Sequence, residues 1–159
     1  MHKSLIVQKR FVWPHDVNHN GAMNKGRCMT LLDLAILESL VRSGFLKVVL
    51  ALKATIVLGG AQLKFLAPLR VFERYSIKME YLGEANNWHV FEYNFINSKG
   101  VTCVKGLLKG GVVKKGHGLV KADAILKSFK KIDPSITDYP TLPEYAINWL
   151  NSEKLLNDK

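Results

Sequence analysis

The run Trp13-Pro14-His15-Asp16-Val17-Asn18-His19-Asn20-Gly21-Ala22-Met23-Asn24-Lys25-Gly26-Arg27 leads straight into the apolar segment Cys28 to Val41. Polar side chains and glycines therefore stand against the start of a long hydrophobic helix, an arrangement suited to holding a developing oxyanion. Asp16 has the chemistry of a general base, although its type and place suit a turn residue accepting backbone N–H groups as well. His19 and His15, with unperturbed pKa values near 6.5, are suited to activating water at neutral pH. Asn24 could orient a substrate, and N-capping explains it equally well.

Two further carboxylates, Asp33 and Glu38, lie on the helix itself. Five residues apart, they point about 140° away from one another at about 100° per residue, so they cannot act as a pair. Asp33 also reads as a buried, hydrogen-bonded structural residue. His89 shares a strand face with Phe91, Tyr93 and Phe95 and reads as a packed core or interface histidine. The five histidines form no H-E-x-x-H or Cys/His cluster, so no metal is implied. Gly59-Gly60 and Gly110-Gly111 sit inside strand patterns and mark bulges or close backbone contact rather than phosphate loops.

These residues must be positioned by a chain of 159 residues, enough for one domain with one substantial core. Its formal charge of +10 favours anionic partners, but the lysines are dispersed and no RNA-binding signature appears, which argues against nucleic acid. Cys28 and Cys103 are too far apart in sequence for a metal spacing and read as small buried hydrophobes. Charges interrupt every apolar stretch, so no membrane span is expected, and a reducing cytoplasm is the default location.

Ser4 to Trp13 reads as a short strand ended by Pro14. Lys25 to Ser43 reads as a helix, apolar at 28, 31, 32, 35, 36 and 40, capped by Asn24 and closed by Gly44. Met29, Leu34, Leu37 and Val41 widen its apolar stripe, predicting burial on several sides. A connector at Phe45 to Lys53 precedes four strand-like stretches: Thr55 to Phe65, Phe72 to Tyr81, Trp88 to Ile96 and Val101 to Val113. Short turn-rich connections predict antiparallel pairing. The fold class is α+β, a long central helix wrapped by a five-stranded, mainly antiparallel sheet. Residues 1–118 form this domain. Residues 119–159 read as a C-terminal helical extension, with helices at Ala122 to Phe129 and Glu144 to Leu156 lying on the surface without a chemical role.

The motif loop, together with Gly59 to Leu69, Phe72-Glu73-Arg74-Tyr75 and Trp88 to Tyr93, resembles hotdog-fold acyl-CoA thioesterases, in particular their 4-hydroxybenzoyl-CoA thioesterase-like branch, over about residues 3–115. Aligned on Gly21, Met23-Asn24, Gly26-Arg27 and Leu31-Leu32-Asp33, the family's catalytic aspartate falls on Asn18 and its histidine on Ala22. The resemblance implies hydrolysis of a fatty or aromatic acyl thioester of coenzyme A or acyl carrier protein, with no cofactor beyond the coenzyme A moiety of the substrate. It further implies a homodimer or dimer of dimers with the thioester at the interface. Backbone N–H groups of Gly21, Ala22 and Met23 would form the oxyanion hole, and Asn18, Asp16, His19 and Asp33 are the catalytic candidates. The acyl chain is expected beside Met29, Leu32 and strand side chains, with Arg70, Lys105 and Lys109 receiving phosphates. The alternative is a non-catalytic acyl-thioester-binding or interaction protein that has lost the carboxylate.

Overall fold

The structure is a computed structural model that describes residues 5–136 and 138–157. Strand β1 (Leu5–Phe11) is followed by a short 3-10 turn (Pro14–Asp16), the 18-residue helix α1 (Lys25–Arg42) and a second helix, α2 (Phe45–Ala51). Four long strands come next: β2 (Thr55–Phe65), β3 (Arg74–Ala85), β4 (Trp88–Asn97) and β5 (Thr102–Lys114). A two-residue strand β6 (Gly118–Leu119) folds back on β5, and helices α3 (Ala122–Ile132) and α4 (Glu144–Asn157) complete the chain. The strands lie in the order β1-β3-β4-β5-β2 and all pair antiparallel.

Alternation in β3 sets the two faces of the sheet. Tyr75, Ile77, Met79 and Tyr81 are buried on the inner face, where the first three meet Cys28, Leu31, Leu32 and Ala35 of α1 across one hydrophobic core. Both cysteines are buried and free, the role their isolation in sequence implied. Leu82, Val90 and Leu107 point the other way and are covered by Ala146, Trp149 and Leu150 of α4. The Tyr145 hydroxyl donates to Glu92 on this outer face, and Lys105 lies 3.2 Å from the same carboxylate. Burial acts to raise the pKa of Glu92, but hydrogen bonds from Tyr145, Asn94 and Lys105 outweigh it and hold the group below the usual carboxylate range.

The strand glycines serve close approach. The β2–β5 register slips between Leu58 and Gly60, and the Trp88 ring fills the space that a Cβ on Gly59 or Gly111 would occupy. Gly44, at φ 75°, takes the left-handed conformation that stops α1 and starts α2, so the expected connector is a helix.

Two expectations need correction. Leu34, Leu37 and Val41 remain exposed, at 46%, 54% and 58%, so α1 is buried on one broad face rather than all round. The C-terminal helices do not simply lie on the surface: Ile125 of α3 is fully buried against Val48, Val49 and Val112, and residues beyond α3 line a cavity against α1.

Candidate functional site

The motif loop is held by Asp16. This residue is 2% exposed; its carboxylate accepts the Trp13 N–H at 3.0 Å and the Arg27 Nε–H at 2.6 Å. Its carbonyl accepts the Asn24 N–H at 2.8 Å, closing the loop onto the first turn of α1. His15 Nε2 lies 3.4 Å from the same carboxylate, and a buried carboxylate so engaged is a clamp. Asn18 is exposed, and its Oδ1 accepts the Asn20 N–H at 2.9 Å and, weakly, the Ala22 N–H at 3.4 Å. His19 is exposed and makes no hydrogen bond among the described residues.

The three amides expected to form an oxyanion hole are largely spoken for. Gly21 N–H donates to the Asn18 carbonyl at 3.0 Å and Met23 N–H to the Leu69 carbonyl at 2.8 Å, leaving only the long contact of Ala22 easily exchanged for a ligand. Asn24 is the N-cap of α1, its Oδ1 accepting the Gly26 N–H at 2.9 Å. Arg70, distant in sequence, is brought to this loop by a bridge to Ala22, and its guanidinium lies 3.5 Å from the Asn20 carbonyl.

A cavity of about 810 Å³ lies between the C-terminal half of α1 and the inner face of the sheet, a volume within the usual range for small-ligand sites. Ile36 and Leu40 of α1 form one wall, Met79, Phe91 and Leu108 the opposite wall, and α2, α3 and the segment after α3 close the end. Asp33 lies at its α1 side, exposed, and makes no hydrogen bond or ion pair among the described residues. The buried, hydrogen-bonded role expected for it is therefore corrected. Asp133, also on the wall, is committed to the Ser135 N–H and hydroxyl at 3.0 and 2.6 Å, which hold its pKa below the ordinary value. Glu38 is bridged by Arg10 at 3.2 Å and Arg42 at 2.7 Å. Asp33 is thus the carboxylate of this wall left free for chemistry.

Of the residues expected to meet an acyl chain or phosphates, strand side chains such as Met79 and Phe91 line this cavity, whereas Met29, Leu32, Lys105 and Lys109 lie away from it. Leu32 is 1% exposed within the core, and neither it nor Met29 borders the cavity. Lys105 and Lys109 are paired on the outer face with Glu92 and Glu153, and Lys109 also lies over the Trp88 ring. Residues the sequence reading missed include Phe45, Ile125, Phe129 and Tyr139, all on the cavity wall. The i, i+4 pair Ile125 and Phe129 carried the available signal, an apolar stripe on a tail helix that needed something to cover. Among the described residues no group of His, Cys, Asp and Glu is arranged to hold a metal, and no helix is long and apolar enough to cross a membrane.

Comparison with known proteins accords with this architecture. Residues 12–139 match the thioesterase-like superfamily, and the chain belongs to that family. Its fold is the hotdog fold of solved thioesterases. A Staphylococcus aureus protein determined in complex with CoA superposes with a TM-score of 0.70 at 12% identity, over 91% of this chain and 92% of that one. The DHNA-CoA thioesterase of Staphylococcus aureus gives 0.64 at 12% identity, covering 82% and 91%. A gentisyl-coenzyme A thioesterase gives 0.65 at 18% identity, covering 77% and 99%. Among curated proteins, none matches the sequence.

Proposed function

We propose that this protein hydrolyses an acyl thioester of coenzyme A or acyl carrier protein in the cytoplasm, with the acyl group in the cavity and Asp33 as the general base or nucleophile. The observation that carries this reading is an unpartnered carboxylate on the wall of an apolar cavity of about 810 Å³ in a thioesterase-like chain. A positioned carboxylate supplies about 10²–10⁴-fold as a general base. Arg70, beside the motif loop, is the cation best placed to meet the phosphates of the carrier. The CoA-bound Staphylococcus aureus neighbour supports that class of ligand.

The assembly we propose is a homodimer with the site at its interface. Among the described residues the 11-residue strand β2 pairs only with β5 and has its other edge unpaired. Leu34, Leu37 and Val41 form an exposed stripe on α1, and at about 100° per residue Asp33 borders that stripe. A two-fold partner covering both would close the cavity over Asp33.

The test is thiol release from acyl-CoAs of graded chain length by the wild type and by Asp33→Asn. We expect turnover to fall by at least about 10²-fold in the variant with an unchanged melting temperature, since Asp33 has no partner to lose. Full activity in Asp33→Asn removes that residue from the mechanism. The second reading, a non-catalytic thioester binder, is favoured by one observation. Asn18 and Ala22 stand where the resembled motif has Asp and His, and the Gly21 and Met23 amides are already bonded. Thermal stabilisation by acyl-CoA without any thiol release is the result that selects it.

A further inference from the structure

The cavity is lined mainly by apolar side chains, and of its polar residues His89 alone holds a buried atom without a partner among the described residues. His89 is 4% exposed and lies on its wall, with its Nδ1 3.0 Å from the Tyr81 hydroxyl and its Nε2 buried without a partner among the described residues. Phe45 and Tyr139 box the imidazole edge-on, with ring centroids at 6.0 and 5.7 Å. Burial keeps the Tyr81 phenol protonated and pushes the imidazole down to about 4, so both are neutral at physiological pH. Among the described residues the phenolic proton finds Nδ1 as its acceptor, and donation to it would place the imidazole hydrogen on Nε2. In that tautomer His89, a residue of the cavity wall, holds a neutral, unsatisfied N–H donor, a group that proteins rarely leave buried.

Its position matters. Phe45 begins α2, two residues separating it from the end of α1, so His89 lies toward that end of the cavity, whereas Asp33 lies nine residues before the end of α1, a rise of about 14 Å at about 1.5 Å per residue.

We propose that His89 Nε2–H recognises a neutral oxygen near the distal end of an aliphatic acyl chain, so that the ligand of this cavity is an oxygenated chain, hydroxy or keto, rather than a plain hydrocarbon one. The assignment of the chain as an acyl group rests on the thioester reading above. The recognition itself rests on the His89–Tyr81 pair. A charged terminus is disfavoured, because no cation accompanies the donor in the aromatic box and a carboxylate there would be stripped of water. A methyl terminus would fill the space but leave the N–H unpaired. Sites built to bond a ligand hydroxyl discriminate strongly against analogues lacking it, whereas a purely apolar pocket prefers the methyl.

The experiment compares 10-hydroxydecanoic acid with undecanoic acid, which differ only in a terminal hydroxyl against a methyl. Titration calorimetry on the full chain is expected to show at least tenfold tighter binding of the hydroxy acid, with the preference lost in His89→Phe and reduced in Tyr81→Phe. Imidazole nitrogen NMR of the unliganded wild type should show the proton on Nε2, a readout that needs no variant to fold. Equal affinity, preference for undecanoic acid, binding of neither acid, or a proton on Nδ1 each overturns the proposal. Neither acid contains a thioester. Selective binding without thiol release from any acyl-CoA would sink hydrolysis and sustain this inference, and thiol release without selectivity would do the reverse.

Discussion

Replacing Asp16 by Asn separates a structural carboxylate from a catalytic one. Asn retains one acceptor but sets an NH₂ against either Trp13 N–H or Arg27 Nε–H, the two donors that Asp16 now satisfies. A charge-assisted hydrogen bond contributes about 1.5–3 kcal/mol, and a buried donor left unpaired adds about 1–3 kcal/mol. Arg27 is 34% exposed and recovers water, which brings the expected loss down to about 2–3 kcal/mol. For a chain of this length, about 2–4 °C is lost per kcal/mol, so the melting temperature should fall by about 4–12 °C. The reverse change, Arg27→Met, strands a carboxylate that is only 2% exposed and should cost more, about 3–5 kcal/mol. The double variant should lose less than the sum, because the pair is shared. Melting would be followed at fixed protein concentration, since any dimer makes stability concentration-dependent. A melting temperature unchanged in Asp16→Asn, with thiol release abolished, would refute the clamp and make Asp16 the base.

Asn18→Asp should be tolerated, because a carboxylate at 18 can accept the same Asn20 and Ala22 amides; if only a base is missing from this loop, thiol release rises by about tenfold or more, and an unchanged rate places the chemistry elsewhere. Acid should destabilise the fold through His89: its folded pKa of about 4 lies below the unfolded 6.5, so between these values the unfolded chain alone binds the proton and stability falls as pH falls, by about 3 kcal/mol in all. Urea midpoints at pH 7 and pH 4.5 in wild type and His89→Phe read this directly, and an equal drop in both assigns the effect to other groups. Leu37→Glu, on the exposed stripe of α1, should shift sedimentation from dimer to monomer with little loss of monomer stability; a dimer that persists puts the interface on another face.

The strands were legible because their chemistry is local. Tyr75, Ile77, Met79 and Tyr81 alternate with polar residues, and the turns at Asn97 to Gly100 and Asn86-Asn87 hold asparagine and glycine where φ turns positive at Asn86, Asn87 and Gly100. Helix α1 declared itself through its 3.6-residue period, its Asn24 cap and its stop at Gly44. Helix α2 was hidden because Phe45-Leu46-Lys47-Val48-Val49-Leu50 is one short apolar run, and such a run fits a buried strand or helix equally.

The site was legible only where neighbours in sequence are neighbours in space. The Asx-type bonds of Asn18 and the cap at Asn24 span two to four residues and follow from residue type. The partner of Asp16 is Arg27, eleven residues on across the loop, and the partner of His89 is Tyr81, across a β3–β4 hairpin whose register slips at Tyr81 and Gly83. That slip matters chemically. A bulge re-aims side chains relative to their opposite strand, and here Tyr81 is on the inner face opposite Phe91 while its hydroxyl reaches His89 two residues further along. A sequence pattern can say that both residues face inward. Which one is left with an unpaired nitrogen depends on the bulge, on Phe45 from a helix the pattern did not resolve, and on Tyr139 from a tail assigned no chemistry. The point in the cavity best able to choose a ligand was therefore the one that local reading could least assemble.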